Sequence, residues 1–334
     1  MTIASPGPLA GIRVVDLSTL LPGPLAGLIL AEAGAEVLKI EPPGGDPILR
    51  LDGGWGEAAH DLFNAGKRVI RLDLKSLAGQ ADLRREIGRA DVLIEQFRPG
   101  VMARLGFGYA TVRGWNPRLV YCSITGYGQG GPLAAAPGHD LNYLAEAGLL
   151  DGAERVPPLL AADVGGGTYP ALVNILLALI ERQRTGQGRH LDIAMAEMVR
   201  AFVFPYLPAL MAGCDPQAGG LLGGSPRYGL YPTADGRRLA VGALEPPFWA
   251  AFCAVIDLPP DLRDDARDPA ATRAAVAERI ARRSAAEWET AFAGTDACVR
   301  VVRTPVEALA GLNRYPVPLD RGFRMQGQME GKGA

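Results

Sequence analysis

Histidine, cysteine and long apolar runs are all scarce in this sequence. Only three histidines and four cysteines stand among its 334 residues. The cysteines (Cys122, Cys214, Cys253, Cys298) are scattered, with no Cys-x-x-Cys pair, which argues against a zinc site or a disulfide framework. They predict reduced thiols in a cytoplasmic protein. The opening residues lack a basic region followed by an apolar stretch, so no secretory signal is expected. The most apolar runs, 172–180 and 201–212, are too short to span a bilayer and are interrupted or flanked by Pro, Glu and Arg, so no membrane role is expected. An excess of either charge is missing too. The balance of 34 Lys+Arg against 36 Asp+Glu gives no support for a nucleic-acid partner. Charged residues make up 21 % and hydrophobic residues 48 %, which excludes a disordered chain. What remains is a globular protein of about two domains.

The first half alternates short apolar runs with helical segments. Strands are expected at 12–17, 35–40, 68–72, 91–94 and 119–124, and helices at 24–33 and 77–87. This alternation predicts an α/β fold, a large Rossmann-like parallel sheet covered by helices on both faces. Such sheets bind ligands at the carboxyl ends of their strands, so stretches 18–23, 41–46, 95–100 and 125–140 matter most. From residue 165 the character changes. Stretches 169–181 and 193–210 read as long helices apolar on most of their circumference, suited to a core or an oligomer interface. Beyond a glycine-rich break, 227–231 and 238–241 read as a hairpin around Asp235-Gly236, followed by three helical patterns. The expected division is a large domain over 1–200, a smaller α+β domain over 225–310, and connecting or returning segments at 201–224 and 311–334.

Candidate reactive residues are few. His60 and His190 read as surface or satisfied histidines. His139 follows a glycine-rich loop (126–132) and opens a helical pattern, a place where reactive side chains concentrate and an imidazole can be tuned near neutrality. Asp163 follows a purely apolar stretch and precedes Gly165-Gly166-Gly167. It reads equally as a helix N-cap or as a carboxylate whose pKa burial can raise. The three glycines would let a ligand or another backbone approach closely. Glu245, just before Pro246-Pro247, reads by itself as a charge favourable to a helix dipole. No metal site, dinucleotide fingerprint or P-loop is found.

Several segments together carry a resemblance. Leu9-Ala10-Gly11-Ile12-Arg13-Val14-Val15-Asp16-Leu17, Pro22-Gly23-Pro24, the run 33–42, Gly66-Lys67-Arg68, Ala90 through Glu95 with Arg98-Pro99-Gly100-Val101, and Gly126-Tyr127-Gly128-Gln129 resemble the class III (CaiB/BaiF) CoA-transferase superfamily from about residue 8 to 309. Within it, the segments 138–143, 162–167 and 240–246 resemble the α-methylacyl-CoA racemase branch.

The resemblance implies a two-base racemase acting on 2-methylacyl-CoA thioesters through an enolate. His139 and Asp163 would be the acid/base pair and Glu245 a supporting carboxylate. Enolate donors could come from backbone N–H groups near Gly165–Gly167 or from a helix N-terminus. In the transferases the aspartate at the Asp163 position instead attacks the acyl-CoA, and the histidine is generally dispensable. A third reading is a CoA-binding scaffold without turnover. CoA would enter as part of the substrate, with no metal or separate cofactor. Arg98 matches a family arginine near the CoA phosphates, and Asn64, Ala65, Gly66, Lys67, Gly138, Asp140 and Tyr143 are further candidates for binding. An arginine frequent in racemases after the second strand is replaced here by Pro42-Pro43, so phosphate binding falls to Lys39, Arg50, Lys67 or Arg68, or is weaker. The family's C-terminal return is expected to be short. The resemblance further implies an interlocked homodimer with the site shared between chains.

Overall fold

The computed structural model describes residues 7–51, 53–216, 220–310 and 318–320. The chain forms two compact units, one of the residues up to Val203 together with 318–320, and a second that begins at Phe204 and runs through residue 310. Most of the expected return segment, 311–317 and 321–334, lies outside the described residues.

The first unit opens with β1 (Arg13–Asp16), α1 (Pro22–Glu32), β2 (Glu36–Glu41), α2 (Trp55–Phe63) and β3 (Arg68–Arg71). It continues through α3 (Leu77–Arg89), β4 (Val92–Glu95), α4 (Val101–Arg104), α5 (Tyr109–Arg113), β5 (Val120–Thr125) and α6 (Asp140–Glu146). A π-helical turn (Ala162–Thr168) leads into α7 (Tyr169–Thr185), β6 (His190–Ala194) and α8 (Met195–Met198). The strands form a fully parallel sheet in the order β3-β2-β1-β4-β5-β6. Alternation along each strand divides its side chains between two cores. Val14, Val37, Ile94 and Cys122 meet α1 and α7 on one face, while Val15, Leu38, Leu93 and Tyr121 meet α3 on the other. Local signals fix the helix ends: the Ser76 hydroxyl caps α3 at Gly79 N–H, and prolines open α1.

Two expectations change. Residues from 193 onward do not start a helix. They finish the sixth strand, because Leu191 and Ile193 pair with β5 and reach the core, while short helical segments follow. The apolar stretch over 169–181 is helical but not enclosed: Ala171, Ile175 and Ala178 are buried, whereas Val173, Leu177 and Ile180 are exposed. The π turn runs straight into α7, so Ala162–Thr185 forms 24 continuous helical residues, long and apolar enough to cross a bilayer by length and composition. Its inner face packs in the core, and its Arg182 is buried in an ion pair with Asp91 at 2.9 Å.

The second unit holds an antiparallel sheet of β7 (Tyr228–Pro232), β8 (Arg238–Gly242) and β9 (Val299–Val301). A short helix, α9 (Leu207–Met211), precedes it, and α10 (Pro246–Val255), α11 (Pro269–Ile280), α12 (Ala285–Ala291) and α13 (Pro305–Leu309) complete the unit. The Asp235-Gly236 turn joins β7 to β8, with Gly236 at φ +75°. Trp249, Phe252, Trp288 and Phe292 fill its core.

Candidate active site

In a parallel sheet of this order the crevice opens between β1 and β4, where the chain direction of the crossovers reverses. A cleft of about 600 Å³ lies there. Its walls come from the stretches after β1 (Thr19, Leu20, Pro22), after β4 (Gln96, Phe97, Arg98) and at the end of β5 (Thr125, Gly126). His139, Tyr143 and Asp163 complete it.

His139 sits at the N-cap of α6 in extended geometry, φ −126° and ψ 176°. Its N–H donates to Asn142 Oδ1 at 3.0 Å, and its carbonyl accepts from Asn142 N–H at 2.8 Å. The backbone is therefore locked while the imidazole stays exposed on the cleft wall. Behind it the Tyr143 hydroxyl donates to the Gly138 carbonyl at 2.5 Å. Burial first, then the charge of Asp163, pushes the Tyr143 phenol up to about 12, so it remains a donor. A Cβ on Gly126 would collide with the Tyr143 ring, which explains that glycine.

Asp163 is half-buried in the first turn of the π helix, not at an N-cap, since Ala161 holds that position. Its N–H donates to Asp140 Oδ1 at 2.8 Å. Burial, then the Asp140 carboxylate, raise the Asp163 carboxyl to about 6, and His139 opposes the rise. An unfolded aspartate titrates near 3.8, so between that pH and about 6 the native state keeps a proton that the unfolded chain has released. The stability this contributes is complete below the window and is lost as pH rises through it. Compared with Asp163→Asn, the wild-type protein should lose melting temperature between pH 4 and 7, and parallel profiles would contradict the raised carboxyl.

Of the glycines after Asp163, Gly166 admits the close approach of another stretch of backbone. A Cβ on Gly166 would lie 2.5 Å from the Met195 carbonyl oxygen and 3.0 Å from Val199 Cβ. The Thr168 hydroxyl adds a bond to the Pro22 carbonyl at 2.9 Å, tying the π turn to α1. Such turns recur at functional sites because they re-aim one side chain within a helix. Overpacking by Gly166→Ala should destabilise the protein by about 1–3 kcal/mol. Thermal unfolding reads this, and an unchanged midpoint would show that the contact has slack.

The residues expected to bind CoA separate into two groups. Arg98, Gly138 and Tyr143 join His139 and Asp163 in the cleft. Asp140 does not face a ligand: it is 5 % exposed and holds the Asp163 backbone. Asn64, Ala65, Gly66 and Lys67 form the turn before β3, at the amino-terminal edge of a parallel sheet and not among the cleft residues. Lys67 is corrected further, because its fully buried ammonium pairs with Asp16 at 3.0 Å and donates to the Pro24 carbonyl at 2.8 Å. Lys39 is likewise enclosed, beside Asp46 at 3.3 Å. Neither lysine can present its charge to a phosphate. Glu245 stands exposed in the second unit at the N-cap of α10, where the helix dipole favours its charge.

Sequence reasoning missed a second pocket of about 670 Å³, which shares Thr19 and Phe97 with the cleft. Pro42, Pro43, Leu72 and Val101 form its apolar walls, with Lys75 at hand. Its signal was available, since 72–75 is the stretch after β3. Among the described residues no three His, Cys, Asp or Glu side chains are grouped to hold a metal ion.

Comparison with known proteins adds four findings. Residues 9–313 match the family described as CoA-transferase family III. The chain is 40 % identical to the α-methylacyl-CoA racemase of Mus musculus over 314 residues, 90 % of this chain and 79 % of the racemase. It is 38 % identical to a succinate–glutarate CoA-transferase of Agrobacterium fabrum over 254 residues, 70 % of this chain and 63 % of that protein. Among solved structures, a CaiB/BaiF family protein from Brucella suis superposes with a TM-score of 0.78 at 28 % identity, covering 92 % of this chain and 86 % of that one.

Proposed function

Because this chain belongs to CoA-transferase family III, we propose that its cleft interconverts the two configurations of a 2-methylacyl-CoA thioester. The observation that carries this reading is the placement of His139 and Asp163, from separate helix starts, on one cleft. Racemisation removes the α-proton from one face and returns a proton to the other, which calls for two acid/base groups. Neutral His139 takes the α-proton, and the C–H electron pair passes into the enolate of the thioester. Protonated Asp163 then gives its proton to the opposite face of that carbon, leaving imidazolium and carboxylate. The reverse direction exchanges the roles. A carboxyl near 6 is present in both forms around neutrality, which suits a group that both gives and takes a proton.

CoA would approach along the carboxyl ends of the strands. Arg98 offers a guanidinium for its phosphates, and the adjoining apolar pocket suits its adenine, with Lys75 supplying a cation where Lys39 and Lys67 cannot. No metal or redox cofactor enters this scheme. A homodimer belongs to the same reading, and the exposed Val173, Leu177 and Ile180 of α7 have the chemistry of a face covered by a second copy.

The direct test is incubation of a 2-methylacyl-CoA in heavy water. Deuterium should enter the α-carbon at the rate of racemisation, and absence of exchange across several acyl lengths would remove the reading. The second reading, CoA transfer through attack by Asp163 on the thioester, is favoured by the 38 % identity to the succinate–glutarate enzyme. It predicts hydroxylamine trapping of Asp163 and CoA transfer to a free acid.

A further inference from the structure

Three polar side chains cross the sheet at one register: Glu95 of β4 pairs with Ser123 of β5, and Ser123 with Asp192 of β6. They share the face of the sheet that is apolar one step earlier, at Leu93 and Tyr121. Glu95 is 3 % and Ser123 1 % exposed, so these two carry a desolvation cost that apolar residues would avoid, while Asp192 at the outer strand is exposed. Each carboxylate accepts from the backbone of a different loop. Glu95 Oε2 takes Phe97 N–H at 2.8 Å, and Asp192 Oδ2 takes Gln129 N–H at 2.9 Å.

These two loops frame the cleft. The first carries Arg98. The second begins at Gly126, which abuts the Tyr143 ring, and Tyr143 in turn holds the Gly138 carbonyl next to His139. Ser123 joins the two halves. Its strand pairs with both neighbours, and its hydroxyl lies 3.0 Å from Nε2 of His190 on β6. The His190 ring is itself fixed, stacked on Tyr109 at 5.0 Å and set edge-on to Tyr121 at 5.2 Å.

We propose that the row Glu95–Ser123–Asp192 is a positioning element of the active site, in which Glu95 sets the Arg98 loop for CoA and Asp192 sets the loop that seats His139. It builds on the reading of the cleft as an acyl-CoA site. Neither carboxylate touches the substrate, and each acts through one backbone N–H.

The two arms separate by readout. Glu95→Ala should weaken binding of free CoA about tenfold in calorimetry and raise KM, with kcat within about threefold of wild type. Asp192→Ala should leave CoA affinity within about twofold and lower kcat about tenfold. With only three histidines, ¹³C-histidine spectra also resolve the effect: Asp192→Ala should move the His139 resonance and leave that of His60 in place. Glu95→Gln and Asp192→Asn keep an acceptor oxygen and should recover each property to within about threefold. Alanine variants whose losses in affinity and kcat simply follow melting temperature would overturn the proposal, as would amide variants as impaired as the alanines. A wild-type protein without α-proton exchange would refute racemisation alone, since CoA affinity and the His139 resonance still judge the positioning row.

Discussion

Asparagine in place of Asp163 should slow α-proton exchange by about 10²–10⁴-fold while raising the melting temperature above pH 7. Both effects have one origin. The side chain is half-buried beside Asp140, which lifts its carboxyl to about 6, so at higher pH the native state carries a charge that its surroundings disfavour. The amide removes that charge together with the transferable proton. Its backbone N–H keeps the bond to Asp140, so the π turn should stay in place. His139→Ala distinguishes the two reactions. In a two-base racemase it should lower exchange by a similar factor, because one face of the α-carbon loses its base. In a transferase that uses Asp163 as nucleophile it should leave CoA transfer largely intact. A His139→Ala protein that exchanges the α-proton at full rate would overturn the two-base assignment.

Lys67→Met should cost about 3–5 kcal/mol of stability, read by urea unfolding. Lys67 and Asp16 have fully buried side chains 3.0 Å apart. Burial opposes the Asp16 charge, yet Lys39 and Lys67, with the Ser18 hydroxyl, hold its carboxyl below its usual range. Removing Lys67 leaves a carboxylate in the core without its hydrogen-bonded ammonium partner. Adding Asp16→Asn to Lys67→Met should recover much of the loss, since the unpaired charge goes with it. CoA affinity of the folded variant should stay within about twofold of wild type, because the ammonium faces inward. A large fall in affinity with unchanged stability would return Lys67 to the binding surface.

The parts of the fold legible in the sequence were those set by short-range pattern. Five of the six parallel strands, the capped α3 and the Asp235-Gly236 hairpin follow from apolar periodicity and turn chemistry. The sixth strand did not, because Ile193-Ala194-Met195-Ala196 is as compatible with a helix, and only pairing with β5 decides it. His139 and Asp163 were legible as candidates through their local context and the resemblance. Their shared cleft was not, since 23 residues separate Asp140 from Asp163 and nothing local brings those stretches together.

The sequence by itself determined the family, the α/β class and a short roster of reactive groups, because composition and motif spacing act locally and survive without coordinates. Which charges face outward was decided by tertiary structure alone. Asn64 through Lys67 look like a phosphate-binding turn in a string of letters, but parallel pairing puts that turn at the amino edge of the sheet and burial commits the lysine to Asp16. Asp140 reads as a ligand contact beside His139, yet the helix it opens aims it at the backbone of Asp163. Burial and long-range hydrogen bonds join residues far apart in the chain, and so only the fold could assign those roles.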